Sequence, residues 1–223
     1  MKAPLSCVAL LLLAACKPDA AAPSRPSPTP AGTASANDTT PVESAKPGAP
    51  ATVPPSFDCA KAVSEAEKLV CGDAELAALD RQLAARYGEA KGADPAIQRG
   101  WAKGRDDCWK AQDPRLCVRE AYQTRLVELA ISAPGAVAPK KVDYHCSNSR
   151  EPFTMAYYND LDPQAAVMTL GNDQAIVFPQ PAASGAKYGR VGVEYWEHQG
   201  EASVDFFGDK LSCTPRADPM PAP

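Results

Sequence analysis

The spacing of hydrophobic residues changes once along this chain, near residue 140, and that change limits the possible folds more than any single motif does. Between residues 57 and 131 apolar side chains recur every three or four positions, the spacing of helices that bury one face. From residue 142 they alternate with polar residues, the spacing of half-buried strands. The pattern predicts a two-domain α+β protein, with a small helical domain at 56–133, a linker at 134–141 and a β-domain at 142–216.

The start of the chain is typical of an exported, lipid-anchored protein. Residues 1–15 carry one positive charge, at Lys2, and then an apolar run that is too short to span a bilayer, as in a secretory signal peptide. The run ends in Leu13-Ala14-Ala15-Cys16, which resembles the bacterial lipobox, whose cysteine becomes the lipidated first residue. A plain signal peptide with a chance cysteine is the alternative. We expect a membrane anchor at Cys16. Similar lipoproteins that lack Asp directly after this cysteine usually go to the outer membrane. Lys17 stands at that position, so we expect the outer membrane, facing the periplasm.

Two further segments have too few large apolar side chains to fold. Residues 16–55 are mostly Pro, Ala, Ser, Thr and Gly, and cannot offset the entropy of ordering, so we expect a disordered tether. Residues 217–223 are rich in Pro and are expected to form a loose tail.

The charge of the chain excludes one class of partner. The formal net charge is −4, and residues 142–223 hold five basic against eleven acidic residues. Nucleic-acid binding needs a basic face, so we expect no nucleic-acid partner. An acidic β-domain favours a basic partner.

Capping signals divide the helical part into three or four helices. Ser64 and Glu67 fit a capping box, and Asp73 fits an N-cap. Asp94-Pro95 and Asp113-Pro114 each combine a cap with a proline in the first turn. The turns between these signals are short, which predicts antiparallel neighbours.

Four cysteines fall in the helical part: Cys59, Cys71, Cys108 and Cys117. Export favours disulfides, and the sequence alone does not choose among the three possible pairings. We predict the local pairs, Cys59–Cys71 and Cys108–Cys117, each stabilising by about 3 kcal/mol through a short loop. A zinc site is the alternative, but the spacings are not Cys-x-x-Cys and no His lies in the segment, so we expect no metal.

Turn signals divide the β-domain into six to eight short antiparallel strands, enough for a small closed barrel. Gly171-Asn172-Asp173 separates two apolar runs, and His198-Gln199-Gly200 separates two alternating segments, as in β-hairpins. A Cys146–Cys213 disulfide would join the first and last strands and stabilise by about 4 kcal/mol.

The helical part resembles the N-terminal domain of LprI-type lysozyme inhibitors over residues 56–131. The resemblance rests on Phe57-Asp58-Cys59-Ala60-Lys61-Ala62, Glu67-Lys68-Leu69-Val70-Cys71, Glu75-Leu76-Ala77-Ala78-Leu79-Asp80, Gln98-Arg99-Gly100-Trp101, Arg105-Asp106-Asp107-Cys108 and Leu116-Cys117. We interpret the charged run at Arg105 as a solvated helix face or a buried Arg–Asp pair, rather than as catalytic residues.

The β-domain resembles the MliC/PliC family of C-type lysozyme inhibitors over residues 142–214. The matching residues are Tyr144-x-Cys146, Ser184-Gly185-Ala186-Lys187-Tyr188, Tyr195-Trp196, Glu201-Ala202 and Cys213. The resemblance implies an eight-stranded antiparallel barrel that blocks lysozyme by inserting two loops into the substrate cleft. A C-type lysozyme is therefore the expected partner.

The first of these loops contains Ser184, which matches the inserting serine of the family. A lysozyme cleft holds two carboxyl groups, and a serine hydroxyl can donate to one of them. Gly185 and Ala186 are small enough for close backbone approach. We predict that residues 184–188 and His198 bind lysozyme. The alternatives are that Lys187 points away and that Tyr188 belongs to the barrel. Trp196 is expected in the core or at the barrel rim.

The second loop departs from the family pattern, which has a Trp-x-Lys-Gly turn. This chain has His198 at the position of the lysine, followed by Gln199 and Gly200. A neutral imidazole donates one hydrogen bond but lacks the full charge. We expect weaker inhibition than a lysine would give.

The leading hypothesis is a lipid-anchored lysozyme inhibitor. The alternative is a non-inhibitory envelope lipoprotein that binds peptidoglycan or another envelope protein. The sequence has no Ser-His-Asp set in a credible order, no phosphate loop and no metal-ligand cluster. We therefore expect no enzymatic activity and no cofactor.

Lowering the pH towards about 6 should strengthen inhibition, because a larger share of imidazole side chains is then protonated. Lysozyme affinity of the wild type and of His198→Ala, measured from about pH 5.5 to about pH 7.5, checks this. A flat wild-type profile that His198→Ala leaves unchanged would contradict it.

Overall fold

The computed structural model describes residues 53–90 and 92–216. The predicted signal peptide at 1–15, the lipidated Cys16, most of the tether and the tail at 217–223 lie outside the described residues. Helices come first along the described chain and strands follow, which confirms the predicted α+β class. No helix within the described ranges is both long and apolar enough to cross a membrane.

Capping side chains fix where the helices begin. Between residues 53 and 131 of the described chain there are four α-helices: α1 (Glu65–Gly72), α2 (Ala74–Glu89), α3 (Pro95–Asp106) and α4 (Pro114–Ile131). Ser64 and Glu67 form a capping box at α1, in which each side chain accepts from the other's backbone amide. Asp73, Asp94 and Asp113 accept amide hydrogen bonds at the starts of α2, α3 and α4.

A buried polar network ties three of these helices together. The hydroxyl of Tyr122 on α4 donates to Asp80 on α2 at 2.9 Å and accepts from Arg105 on α3 at 2.9 Å. Arg105 also donates to Asp106 at 2.7 Å and lies 5.4 Å from the ring centre of Trp101. Burial raises the pKa of Tyr122, which keeps its proton available for Asp80. Arg105 and Asp106 therefore orient helices. This agrees with the second interpretation of the sequence, a buried Arg–Asp pair.

The chain enters the helical domain along α2. Arg81 donates to the backbone carbonyls of Val53 and Pro54, at 2.7 and 2.8 Å. The Ser56 amide donates to Asp80, and Pro55 is buried. These contacts attach residues 53–55 to the helical domain, although the sequence predicts them to be part of the disordered tether.

Disulfides close short segments of the helical domain, joining Cys59 to Cys71 and Cys108 to Cys117. The paired Cα atoms lie 5.8 and 5.6 Å apart, within the usual range for this bond. The pairs are the local ones, and α1 and the start of α4 are thereby held to the segments before them.

Residues 140–216 form a closed antiparallel barrel of eight strands. They are β1 (Lys140–Cys146), β2 (Phe153–Tyr158), β3 (Ala165–Leu170), β4 (Asp173–Gln180), β5 (Ala186–Arg190), β6 (Val193–His198), β7 (Glu201–Phe206) and β8 (Asp209–Pro215). Each strand pairs with the next, and β8 returns to pair with β1. Because the barrel closes, each of the eight strands has a neighbour on both sides. The first strand starts at Lys140, two residues earlier than the alternation indicates.

Aromatic side chains fill the inside of the barrel. Tyr144, Phe153 and Tyr195 are almost completely buried and pack on one another. The hydroxyls of Tyr144 and Tyr195 lie 2.6 Å apart, so each satisfies the other inside an apolar core. Cys146 and Cys213 face each other across β1 and β8 and are joined by a disulfide.

The helical domain packs on the outside of the barrel through α4. Val127 of α4 is buried against Ala165 of β3 and Phe178 of β4. Farther towards the start of α4, both carboxylate oxygens of Glu120 accept from the backbone amide of Val191, at 3.1 and 3.2 Å. The helix thus contacts the barrel wall and the β5–β6 turn.

The sequence contains a signal for this packing in β3. Ala165, Ala166, Val167 and Met168 are consecutive and all buried. Alternate residues of a strand point to opposite faces, so a wholly apolar strand must be covered on both. The inner face meets the barrel core, and Ala165 on the outer face meets α4.

Phe178→Ala should lower the free energy of unfolding by about 3 kcal/mol, because it opens a cavity between α4 and the barrel. Phe178 is 6% exposed, whereas Phe207 in the β7–β8 turn is 62% exposed. Phe207→Ala is therefore the matched control and should cost less than about 1 kcal/mol. Denaturant unfolding of the three proteins checks the difference, and equal losses would contradict the packing described.

Candidate functional site

Two connections of the barrel carry the predicted site residues. Neighbouring strands run in opposite directions, so the β4–β5 loop (residues 181–185) and the β6–β7 turn (Gln199-Gly200) leave from the same end of the barrel. All residues of the β4–β5 loop are exposed. The two connections therefore form one protruding surface.

The β6–β7 turn is tight and has a defined geometry. Gln199 and Gly200 both have positive φ, 53° and 84°. Positive φ at both central residues is the mark of a type I′ turn, whose twist matches that of the flanking strands. His198 and Glu201 close the turn as a cross-strand pair. The imidazole is thus attached to a rigid hairpin.

Gly185 lets the β4–β5 loop approach the end of β6. Its φ is +73°, which other residues adopt only with strain. A Cβ built on Gly185 would overlap the carbonyl oxygen of Glu197 and would lie 3.2 Å from the Cα of His198. The glycine is therefore required for contact between the two connections, in addition to any approach to a partner.

A hydrogen bond joins the two predicted key residues. Ser184 Oγ lies 3.1 Å from His198 Nδ1. When the imidazole is neutral with its proton on Nε2, Ser184 donates to Nδ1 and Nε2–H remains as an outward donor. When the imidazole is protonated, Nδ1–H donates to Ser184, and the serine hydroxyl becomes free to donate elsewhere.

Trp196 contacts both members of this pair. Its indole Nε1–H donates to the backbone carbonyl of Ser184 at 3.1 Å. Its ring stacks on the His198 ring, with centres 5.7 Å apart and planes 20° apart. From the sequence, Trp196 is expected in the core or at the barrel rim, and these contacts were not predicted. The alternation of β6 contains the signal, since Tyr195 points inwards and Trp196 must point outwards.

Lys187 and Tyr188 lie on β5, outside the loop. The Lys187 ammonium forms an ion pair with Glu194 on the barrel wall at 2.8 Å. Tyr188 packs against Tyr157 and Tyr195 of the barrel interior, and burial raises its pKa. Ser184, Gly185 and His198 thus lie together, whereas these two residues serve the barrel.

Ala186 links the loop to the wall, as the first residue of β5 paired with Glu197 of β6. Among residues 53–90 and 92–216 no cluster of three His, Cys, Asp or Glu side chains is placed to hold a metal ion.

Comparison with known proteins gives a family model for the barrel and relatives that match over most of the chain. Residues 144–212 match the family model described as MliC, membrane-bound lysozyme-inhibitor of c-type lysozyme. Proteins named lipoprotein LprI, from Mycobacterium tuberculosis and Mycobacterium bovis, are 45% identical over 163 residues, which is 71% of this chain and 83% of each relative. The chain belongs to the LprI lipoprotein family.

Other relatives of this LprI-family chain correspond to its barrel. A Pseudomonas aeruginosa protein named membrane-bound lysozyme inhibitor of C-type lysozyme is 35% identical over 89 residues, which is 39% of this chain and 68% of the relative. A crystal structure of Pseudomonas aeruginosa MliC in complex with hen egg white lysozyme matches at 34% identity, over 38% of this chain and 91% of that chain, with a TM-score of 0.31. In the described part of this chain, four α-helices precede the segment that matches the MliC family model.

Gly185→Ala should destabilise the protein more than Gly200→Ala does. Both positions have positive φ, and each alanine should cost about 1 kcal/mol for that reason. A Cβ at Gly200 meets nothing within 4 Å, whereas at Gly185 it overlaps Glu197. The difference in free energy of unfolding between the two variants measures the contact between the connections, and equal values would contradict it.

Proposed function

We propose that this lipoprotein inhibits a C-type lysozyme by inserting the Ser184 loop and the His198 turn into the active-site cleft. The observation that carries the proposal is the 3.1 Å contact between Ser184 Oγ and His198 Nδ1 at one exposed end of a rigid barrel. A second support is the relative from Pseudomonas aeruginosa, which is named an inhibitor of C-type lysozyme.

The chemistry of the cleft suits this pair of residues. Glycoside hydrolases of this kind use two carboxyl groups, one of which is ionised. A neutral imidazole offers its Nε2–H to such a carboxylate. A protonated imidazole adds a positive charge and releases the hydroxyl of Ser184 as a second donor. The contact between Ser184 and His198 thereby couples the protonation state of the imidazole to what the serine hydroxyl can donate.

The outer wall of the barrel carries acidic residues, which favour a basic partner. Glu194 and Asp205 are cross-strand neighbours on the outer wall, and Glu201 lies opposite His198. Lys187 is engaged by Glu194, so its charge does not replace that of the missing family lysine. An acidic surface steers basic proteins such as C-type lysozymes and raises their association rate.

The anchor and the helical domain have separate parts in this proposal. Cys16 carries the lipid, and the tether between it and Val53 holds the folded part away from the membrane, in the envelope on the outer-membrane side. The helical domain supports the barrel through α4, because Val127 and Glu120 contact its wall and its β5–β6 turn. Inhibition itself belongs to the barrel.

A lysozyme lysis assay with the purified full chain tests the proposal. Ser184→Ala should weaken inhibition about tenfold or more, because it removes a donor to a charged group. Ser212→Ala, a serine on the exposed outer wall of β8, is the matched control and should inhibit like the wild type. Ser184→Ala and His198→Ala share one hydrogen bond, so the double variant should lose less than the sum of the single losses.

The outcome that rejects the proposal is equally defined. A wild-type chain that inhibits none of several C-type lysozymes, at pH 7 or at mildly acid pH, is not an inhibitor of this class. Sedimentation with purified peptidoglycan would then test the envelope-binding alternative.

A further inference from the structure

Trp196, on the outer wall of β6, contacts both the Ser184 loop and the His198 ring. It is 41% exposed, which is a large apolar surface to leave in water. Within the described chain its indole N–H is bonded to the Ser184 carbonyl and its face is covered by the imidazole. Its neighbour Tyr195 points inwards and is completely buried in the barrel core.

The Ser184 loop needs such a contact. Its residues are Pro181, Ala182, Ala183, Ser184 and Gly185, all exposed. Alanine side chains are small and glycine has none, so these residues cannot anchor the loop by side-chain packing. A loop that is mobile before binding loses entropy when a partner orders it, and that loss reduces affinity.

We infer that Trp196 is a positioning residue, which holds the Ser184 hydroxyl and the His198 imidazole in the arrangement that meets the partner. The hydrogen bond to the Ser184 carbonyl fixes the backbone of the residue whose side chain carries Oγ. The stack on His198 fixes the plane of the imidazole, so that Nδ1 faces Ser184. The effect on inhibition rests on the proposed function, whereas the effect on the loop does not.

The role predicts a graded response to substitution. Trp196→Phe keeps an aromatic face for His198 but removes the N–H that bonds Ser184. Inhibition should weaken about fivefold, as expected for one neutral hydrogen bond. Trp196→Ala also removes the stack and should weaken inhibition further. Trp109→Phe is the matched control, because Trp109 is 60% exposed in the helical domain and should leave inhibition unchanged.

Hydrogen exchange of the purified full chain, read by mass spectrometry without lysozyme, separates positioning from other roles. Trp196→Phe should speed exchange at the amides of residues 182–185 and leave the strands of the barrel as protected as in the wild type. In the NMR spectrum, the indole Nε1–H signal that disappears in Trp196→Phe is that of Trp196. In the wild type this proton should exchange with solvent more slowly than the indole proton of Trp109.

Three results would overturn the inference. In the first, Trp196→Phe inhibits like the wild type and its loop exchange is unchanged. In the second, inhibition falls but loop exchange stays the same, so Trp196 touches the partner directly. In the third, exchange rises over the whole barrel, so Trp196 only stabilises the fold. A wild type that does not inhibit lysozyme rejects the proposed function, and the exchange experiment still decides the positioning role.

Discussion

The fold depends on α4, because this helix belongs to two hydrophobic cores. Tyr122 and Leu126 face the other helices, and Val127 faces the barrel. A helix with a single apolar stripe could pack against only one of these two cores. Glu120 extends the contact with a buried carboxylate, whose hydrogen bonds to the Val191 amide replace those it would make with water. The helical domain and the barrel therefore share packing energy along this one helix.

The candidate site depends on close approach of backbone rather than on its functional groups alone. Gly185 allows the loop to lie against Glu197, and the positive φ of Gln199 allows a two-residue turn. These two features bring Ser184 within hydrogen-bond distance of His198. A serine and a histidine that are fourteen positions apart then act as one group, in which the proton on Nδ1 decides what the serine can donate.

The sequence predicts much of this structure because the signals involved are local. Period changes, caps and turn dipeptides depend on a few neighbouring residues, and they predict the fold class, the four helix starts and the β6–β7 hairpin. The packing of α4 on β3 was not predicted, although a strand that is apolar on both faces indicates a cover. What the cover is depends on contacts distant in sequence. The partner of Lys187 depends likewise on the register of β5 and β6, which alternation alone does not give.

The contact between Glu120 and Val191 has a mechanical consequence. Val191 lies in the turn between β5 and β6, and the opposite ends of these strands lead to the Ser184 loop and to the His198 turn. A force that pulls on both connections is shared by two adjacent strands and reaches α4 through their common turn. Detaching a tightly held protein from this end of the barrel would therefore load the packing between the domains as well as the loops.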